Sequence, residues 1–132
     1  MEVEAIGGDG SVLAYVMRDT GDETDTTFVT PDDALQQVGF HVHPAGTELL
    51  RHYHLPVERR IVGTPEVLVV RSGRCEIDVY DEEQRFACTR ELAAGDVMIV
   101  VAGGHGFRMI EDTVLLEVKQ GPYFGPEEKT SF

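Results

Sequence analysis

Tryptophan is absent from the 132 residues, and aromatic side chains make up only 8% of them. Basic residues are scarce: 11 Lys and Arg stand against 24 Asp and Glu, a formal net charge of −13. Nucleic acid is held by clustered Lys and Arg that release counterions, so it is not an expected partner. The same shortage argues against an anionic membrane surface. No stretch approaches the ~20 apolar residues that a membrane-spanning helix needs. The opening MEVEAIGGDG carries two glutamates and no apolar run, unlike a secretory signal. Cysteine is limited to Cys75 and Cys88, too few for a disulfide framework. Each sits in a strand-like stretch and reads as a small buried hydrophobe. The expected setting is cytoplasmic, with a strongly solvated acidic surface.

What remains is sufficient for one folded domain over residues 1–132. Hydrophobic residues account for 42% of the chain, enough for a real core. Short extended runs rich in Val, Ile and aromatics predict strands at Ser11–Met17, Gln37–His43, Glu48–His54, Glu66–Arg71, Arg74–Tyr80, Arg85–Glu91, Asp96–Val101, His105–Ile110 and Thr113–Lys119. Turn signals separate them, among them Pro44-Ala45-Gly46, Ser72-Gly73, Ala94-Gly95-Asp96 and Gly103-Gly104. Many short strands at even spacing indicate an all-β sandwich or barrel. A short helical turn is expected at Pro31–Gln37, with Asp32 and Asp33 early in it. The acidic stretch Asp19–Asp25 reads as a solvated loop, and Gly121–Phe132 as a tail that packs loosely or serves an interface.

The chemistry-bearing residues are the histidines and one carboxylate. Side chains alternate faces along a strand, so His52 and His54 project together and can reach one metal ion. Glu66 shares a face with Leu68 and Val70, which belong in a core. A carboxylate on that line is costly unless it is paired or binds a metal. His105 follows a tight Gly103-Gly104 turn and shares a face with Phe107 and Met109, which supply apolar wall. Three imidazoles and one carboxylate suit Fe, Mn, Ni, Cu or Zn as a divalent ion. Glu58 competes with Glu66 for the carboxylate position. It sits beside Arg59 and Arg60, where a surface ion pair accounts for it, and Glu66 is preferred for its core-facing alternation. A second HxH, His41 and His43, reads as a decoy for the metal. Glu117 and Lys119 form an acid/base or substrate-holding pair if their side of the strand faces inward, and ordinary surface charges if it does not.

Pro44-Ala45-Gly46, His52-Tyr53-His54, Glu66 followed by VLVVRS and Gly73, then Gly95-Asp96 and Gly103-Gly104-His105 together resemble the cupin superfamily over residues 39–119. The resemblance implies a double-stranded β-helix (jelly-roll) barrel, with His52, His54, Glu66 and His105 converging on a metal near one mouth. It covers metal-dependent dioxygenases and isomerases or epimerases of sugars and keto acids, so the reaction stays open. The leading expectation is a metal-dependent enzyme acting on a small organic substrate. The alternatives are a non-catalytic binding module and a metal-free sugar isomerase with a histidine base. Outward Val67 and Val69, together with what is usual for small cupins, add the expectation of a homodimer.

Overall fold

Alternation of apolar and polar residues, with turns wherever it breaks, produces an all-β fold with antiparallel sheets. The computed structural model describes residues 1–8 and 10–132. Its strands are β1 (Glu2–Gly8), β2 (Ser11–Arg18), β3 (Thr27–Phe28), β4 (Gly39–Phe40), β5 (Glu66–Ser72), β6 (Arg74–Tyr80), β7 (Phe86–Ala93), β8 (Val97–Val100), β9 (Gly104–Met109) and β10 (Val114–Lys119). A 3₁₀ turn covers Pro126–Glu128. The chain divides into two units, Met1–Thr20 with Thr64–Phe132, and Gly21–Gly63.

The first unit is a two-sheet sandwich. One sheet runs β1-β2-β8-β5-β10 and the other β7-β6-β9. Register decides which side chains meet. Glu66 pairs with Val100, Leu68 with Met98, and Met98 in turn with Val16, so these residues share the inner face. On the facing sheet Cys75, Ile77 and Val79 alternate inward and are fully buried, while Glu76, Asp78 and Tyr80 point away. The core joins Ile6, Val16, Leu68, Val70, Ile77, Leu92 and Met98 across the two layers. Each fully buried Leu, Ile or Met contributes about 1.5–3 kcal/mol relative to exposure. The opposite face of the five-stranded sheet carries Val3, Val69, Leu116 and Val118, and also Val67 and Ile99.

The winding is specific. β6 pairs with β7 and β5 with β8, so the chain runs out along one sheet, crosses to the other, turns, and returns beside itself. The next pair of strands repeats the path, β9 along β6 and β10 along β5. The outer edges of β9 and β10 pair with no strand among the described residues. On the other side, Arg90 of β7 reaches Glu4 of β1, with Nε donating to both carboxylate oxygens at 2.9 and 3.0 Å. That pair links the two layers where they would otherwise open.

One polar hub sets the junction of β2, β7 and β8. Buried Asp96 accepts hydrogen bonds from Arg18 Nη1 at 2.8 Å, Ala93 N at 2.9 Å and Asp19 N at 3.0 Å. Gly95 beside it has φ +95°, and a Cβ there would lie 2.2 Å from Asp19 Oδ2. Only glycine allows both the backbone angle and the approach.

The second unit is mostly irregular. β3 and β4 pair over two residues each, and Thr30 is its buried polar residue. Thr30 Oγ1 accepts from Val38 N at 3.0 Å, and Gln37 Nε2 donates to the carbonyls of Pro31 at 2.7 Å and Ala34 at 3.2 Å.

Several expected elements differ. The helical turn at Pro31–Gln37 is instead a single hydrogen-bonded turn, Ala34 N to Pro31 O. The Gln37 side chain takes the carbonyls that a helix would have used. The strand expected at Gln37–His43 is reduced to Gly39–Phe40, and Glu48–His54 is not a strand. A strand persists where a neighbour takes its backbone hydrogen bonds, and among the described residues no ladder reaches residues 48–54. β1 was not expected from the sequence: its charged Glu2 and Glu4 hide an alternation whose Ile6 is buried. β3 was also unforeseen. The other strands fall where alternation puts them, shifted by at most two residues at their ends.

Candidate functional site

Glu66 and His105 are brought together inside the sandwich. Glu66 opens β5 and His105 is the second residue of β9, so the pair spans the two sheets at one end of the core. Both face inward, because Glu66 pairs with Val100 and His105 with Val79. Glu66 Oε2 lies 3.2 Å from His105 Nε2, with the two side chains 14% and 24% exposed. The contact is close, yet Oε2 is buried and has no hydrogen-bond partner. The contact has hydrogen-bonding distance without an aligned N–H. The His105 ring holds the Glu66 carboxyl below its ordinary range against burial, and the charges of Lys119 and Lys129 act in the same direction.

Lys119 and Glu117 are on this inner face. Lys119 pairs with Glu66 and Glu117 with Leu68 across the β10–β5 ladder. The half-buried Lys119 ammonium lies 3.6 Å from Glu117 Oε1, 4.0 Å from Glu128 Oε1 and 5.6 Å from the Tyr123 ring centroid. Phe107 packs against the core and meets the His105 ring edge to face at 5.6 Å. Met109 shares their face but lies further along β9, opposite Cys75, and is 50% exposed.

His52 and His54 are in the second unit, on an exposed segment without regular structure. Their rings lie 5.4 Å apart at 74°. His52 Nδ1 sits 3.0 Å from the Leu50 carbonyl, which orients the ring and leaves Nε2 as its free lone-pair donor when Nδ1 carries the proton. Glu58 is exposed in the same segment. His41 packs edge to face on Phe28 at 5.7 Å, and the His43 ring lies 5.8 Å from it. The structure thus joins Glu66 to His105 and His52 to His54, each pair within its own unit. No three His, Cys, Asp or Glu among the described residues form a metal-ligand group.

The residues that sequence reading missed lie in the tail. Tyr123 and Glu128 contact Lys119, Lys129 acts on Glu66, and Phe132 packs on the β9 start. The Gly103-Gly104 doublet was the one signal available, because glycine marks a place where something approaches closely.

The chain was compared with family models, curated proteins and solved structures, and none of them matches it.

Proposed function

We propose that this chain is a small metal-binding enzyme of the cupin type, with a divalent Fe, Mn, Ni, Cu or Zn ion held by His52, His54, Glu66 and His105. The observation that carries the reading is the Glu66–His105 contact. Two ligands at about 2.1 Å from one ion, at roughly a right angle, stand about 3 Å apart, and these two atoms are 3.2 Å apart. The orphaned, buried Oε2 is the kind of atom that a cation satisfies. His52, oriented through Nδ1, is suited to the same task.

The winding of β5 to β10 supports the finer fold reading. Paired strands that return along themselves across two sheets are how a jelly roll, the double-stranded β-helix, is wound. The reading requires His52 and His54 to join Glu66 and His105. Bound there, the metal supplies Lewis acidity, or dioxygen chemistry if it is iron. The chain's own residues do the rest. Phe107 provides an apolar wall beside His105. Glu117 and Lys119, on the same face as Glu66, supply a carboxylate and an ammonium for proton transfer or for holding a small organic substrate. The homodimer belongs to the same proposal, since the edge strand β10 exposes Val114, Leu116 and Val118, and sedimentation velocity decides it.

The test is metal content by inductively coupled plasma mass spectrometry, on protein purified without chelator. Near-stoichiometric metal in the parent is expected, with loss in Glu66→Ala, His105→Ala and His52→Ala. A parent that takes up no metal on reconstitution refutes the reading. The same contact supports one other function, His105 as a general base oriented by Glu66 without metal. Turnover that survives chelation but not His105→Ala distinguishes it.

A further inference from the structure

The tail from Gly121 to Phe132 starts and ends on either side of the Glu66–His105 pair. It leaves β10 at Lys119, the residue that pairs with Glu66. Gln120 N donates to Pro65 O at 3.4 Å, fixing the departure next to Glu66. The tail's far end lies on the other sheet. The Phe132 ring meets Tyr80 of β6 edge to face at 5.1 Å. It also lies over Gly104, the residue before His105, so closely that a Cβ on Gly104 would stand 2.8 Å from Phe132 Cζ. Between these anchors, Glu128 approaches Lys119 at 4.0 Å, and Lys129 is near enough for its charge to act on Glu66.

This span runs along the side of the sandwich where β9 and β10 present their unpaired edges. The opposite side is linked by Glu4 and Arg90. The tail is the counterpart that crosses from sheet to sheet here, but its hold is light. Tyr123, Phe124 and Phe132 are 64%, 79% and 62% exposed. A segment with so few buried contacts opens at low free-energy cost, independently of the sheets.

We propose that residues Gly121–Phe132 form a strap across the mouth of the Glu66–His105 site, latched by Phe132 in the notch of Gly104 and Tyr80, and that its release admits small molecules to His105. The strap acts on access whether or not a metal is bound. Its latch needs a glycine at 104 and an aromatic ring at 132. When the strap opens, Lys119 loses Glu128, so opening also changes the charge around the site.

The experiment is histidine modification by diethyl pyrocarbonate, read site by site by peptide mass spectrometry. Parent, Phe132→Ala and Gly104→Ala are compared after identical chelator treatment, so that bound metal masks no ring. Phe132→Ala removes the latch, and Gly104→Ala pushes the ring out of the notch while keeping it. In both, the His105 modification rate is expected to rise about fivefold, the population shift that follows loss of one aromatic pair. His41, His43, His52 and His54 keep their parental rates. A His105 rate within about twofold of the parent in both variants overturns the strap, being smaller than the shift such a contact commands. A rise shared equally by the other four histidines marks general loosening and overturns it too. Metal uptake is not the readout, so this test and the metal test fail independently.

Discussion

Replacing Asp96 by alanine tests whether the hub at the junction of β2, β7 and β8 is as important as its geometry indicates. Its carboxylate accepts from a guanidinium and from two backbone amides, at 2.8, 2.9 and 3.0 Å. Hydrogen bonds to a charged group contribute about 1.5–3 kcal/mol each, and an orphaned buried donor costs about 1–3 kcal/mol. The full sum does not apply. Arg18 is 30% exposed, and Asp19 and Ala93 are exposed, so water replaces part of what all three lose. The inner part of the guanidinium is the donor left short, giving a net loss of about 2 kcal/mol. With a urea m-value of about 2 kcal/mol/M, the unfolding midpoint falls by about 1 M. Asp96→Asn keeps the shape and one acceptor oxygen but turns an amide donor toward other donors, and is expected to lose about half as much. Urea titration followed by circular dichroism measures both, and an Arg18→Ala, Asp96→Ala double-mutant cycle isolates the pair. An Asp96→Ala loss below about 1 kcal/mol would refute the hub, because that is the range of an ordinary solvent-exposed pair.

Acid stability gives a second prediction. The Glu66 carboxyl is held below its unfolded value of about 4.3. Its contribution to stability is therefore complete above that value and is lost as pH falls through the lower folded one. Glu66→Gln should flatten the acid limb of a stability–pH profile below about pH 4.5, while an unchanged limb would count against the contact. Glu4, lowered chiefly by its hydrogen bond to Arg90, adds to the same limb, and Arg90→Ala should remove that share. Leu68→Ala, at a side chain 2% exposed in the sheet that carries Glu66, should cost about 2–5 kcal/mol in the same titration. Lys119→Met keeps the stem and removes the ammonium. Under the proposed function it should lower turnover at least about tenfold with metal content unchanged, and parental turnover would assign Lys119 to the surface.

Glu66 and His105 were legible because local alternation fixes faces. In Glu66-Val67-Leu68-Val69-Val70 the carboxylate had to share a side with Leu68, and it does. Glu117 and Lys119 show the limit of that reasoning. Their alternation was visible, but either set of β10 side chains could have faced inward. Val114, Leu116 and Val118 are the more apolar set, yet Leu116 and Val118 lie on the opposite face, because the ladder with β5 pairs Lys119 with Glu66. Glu48–His54 shows the reverse case. Its alternation is strand-like, but a strand also needs a partner edge, and that is not written in the segment itself.

The sequence by itself determined that the chain is all-β, where most strands between residues 66 and 119 lie, and that a carboxylate faces the core line. All of these depend on neighbours one or two residues away. The tertiary structure decided that Glu66 meets His105, that Asp96 gathers Arg18, Asp19 and Ala93, and that the tail lies between Lys119 and Gly104. Those contacts join residues far apart in the chain through register and sheet-to-sheet packing, and no local periodicity encodes which strand will lie beside which.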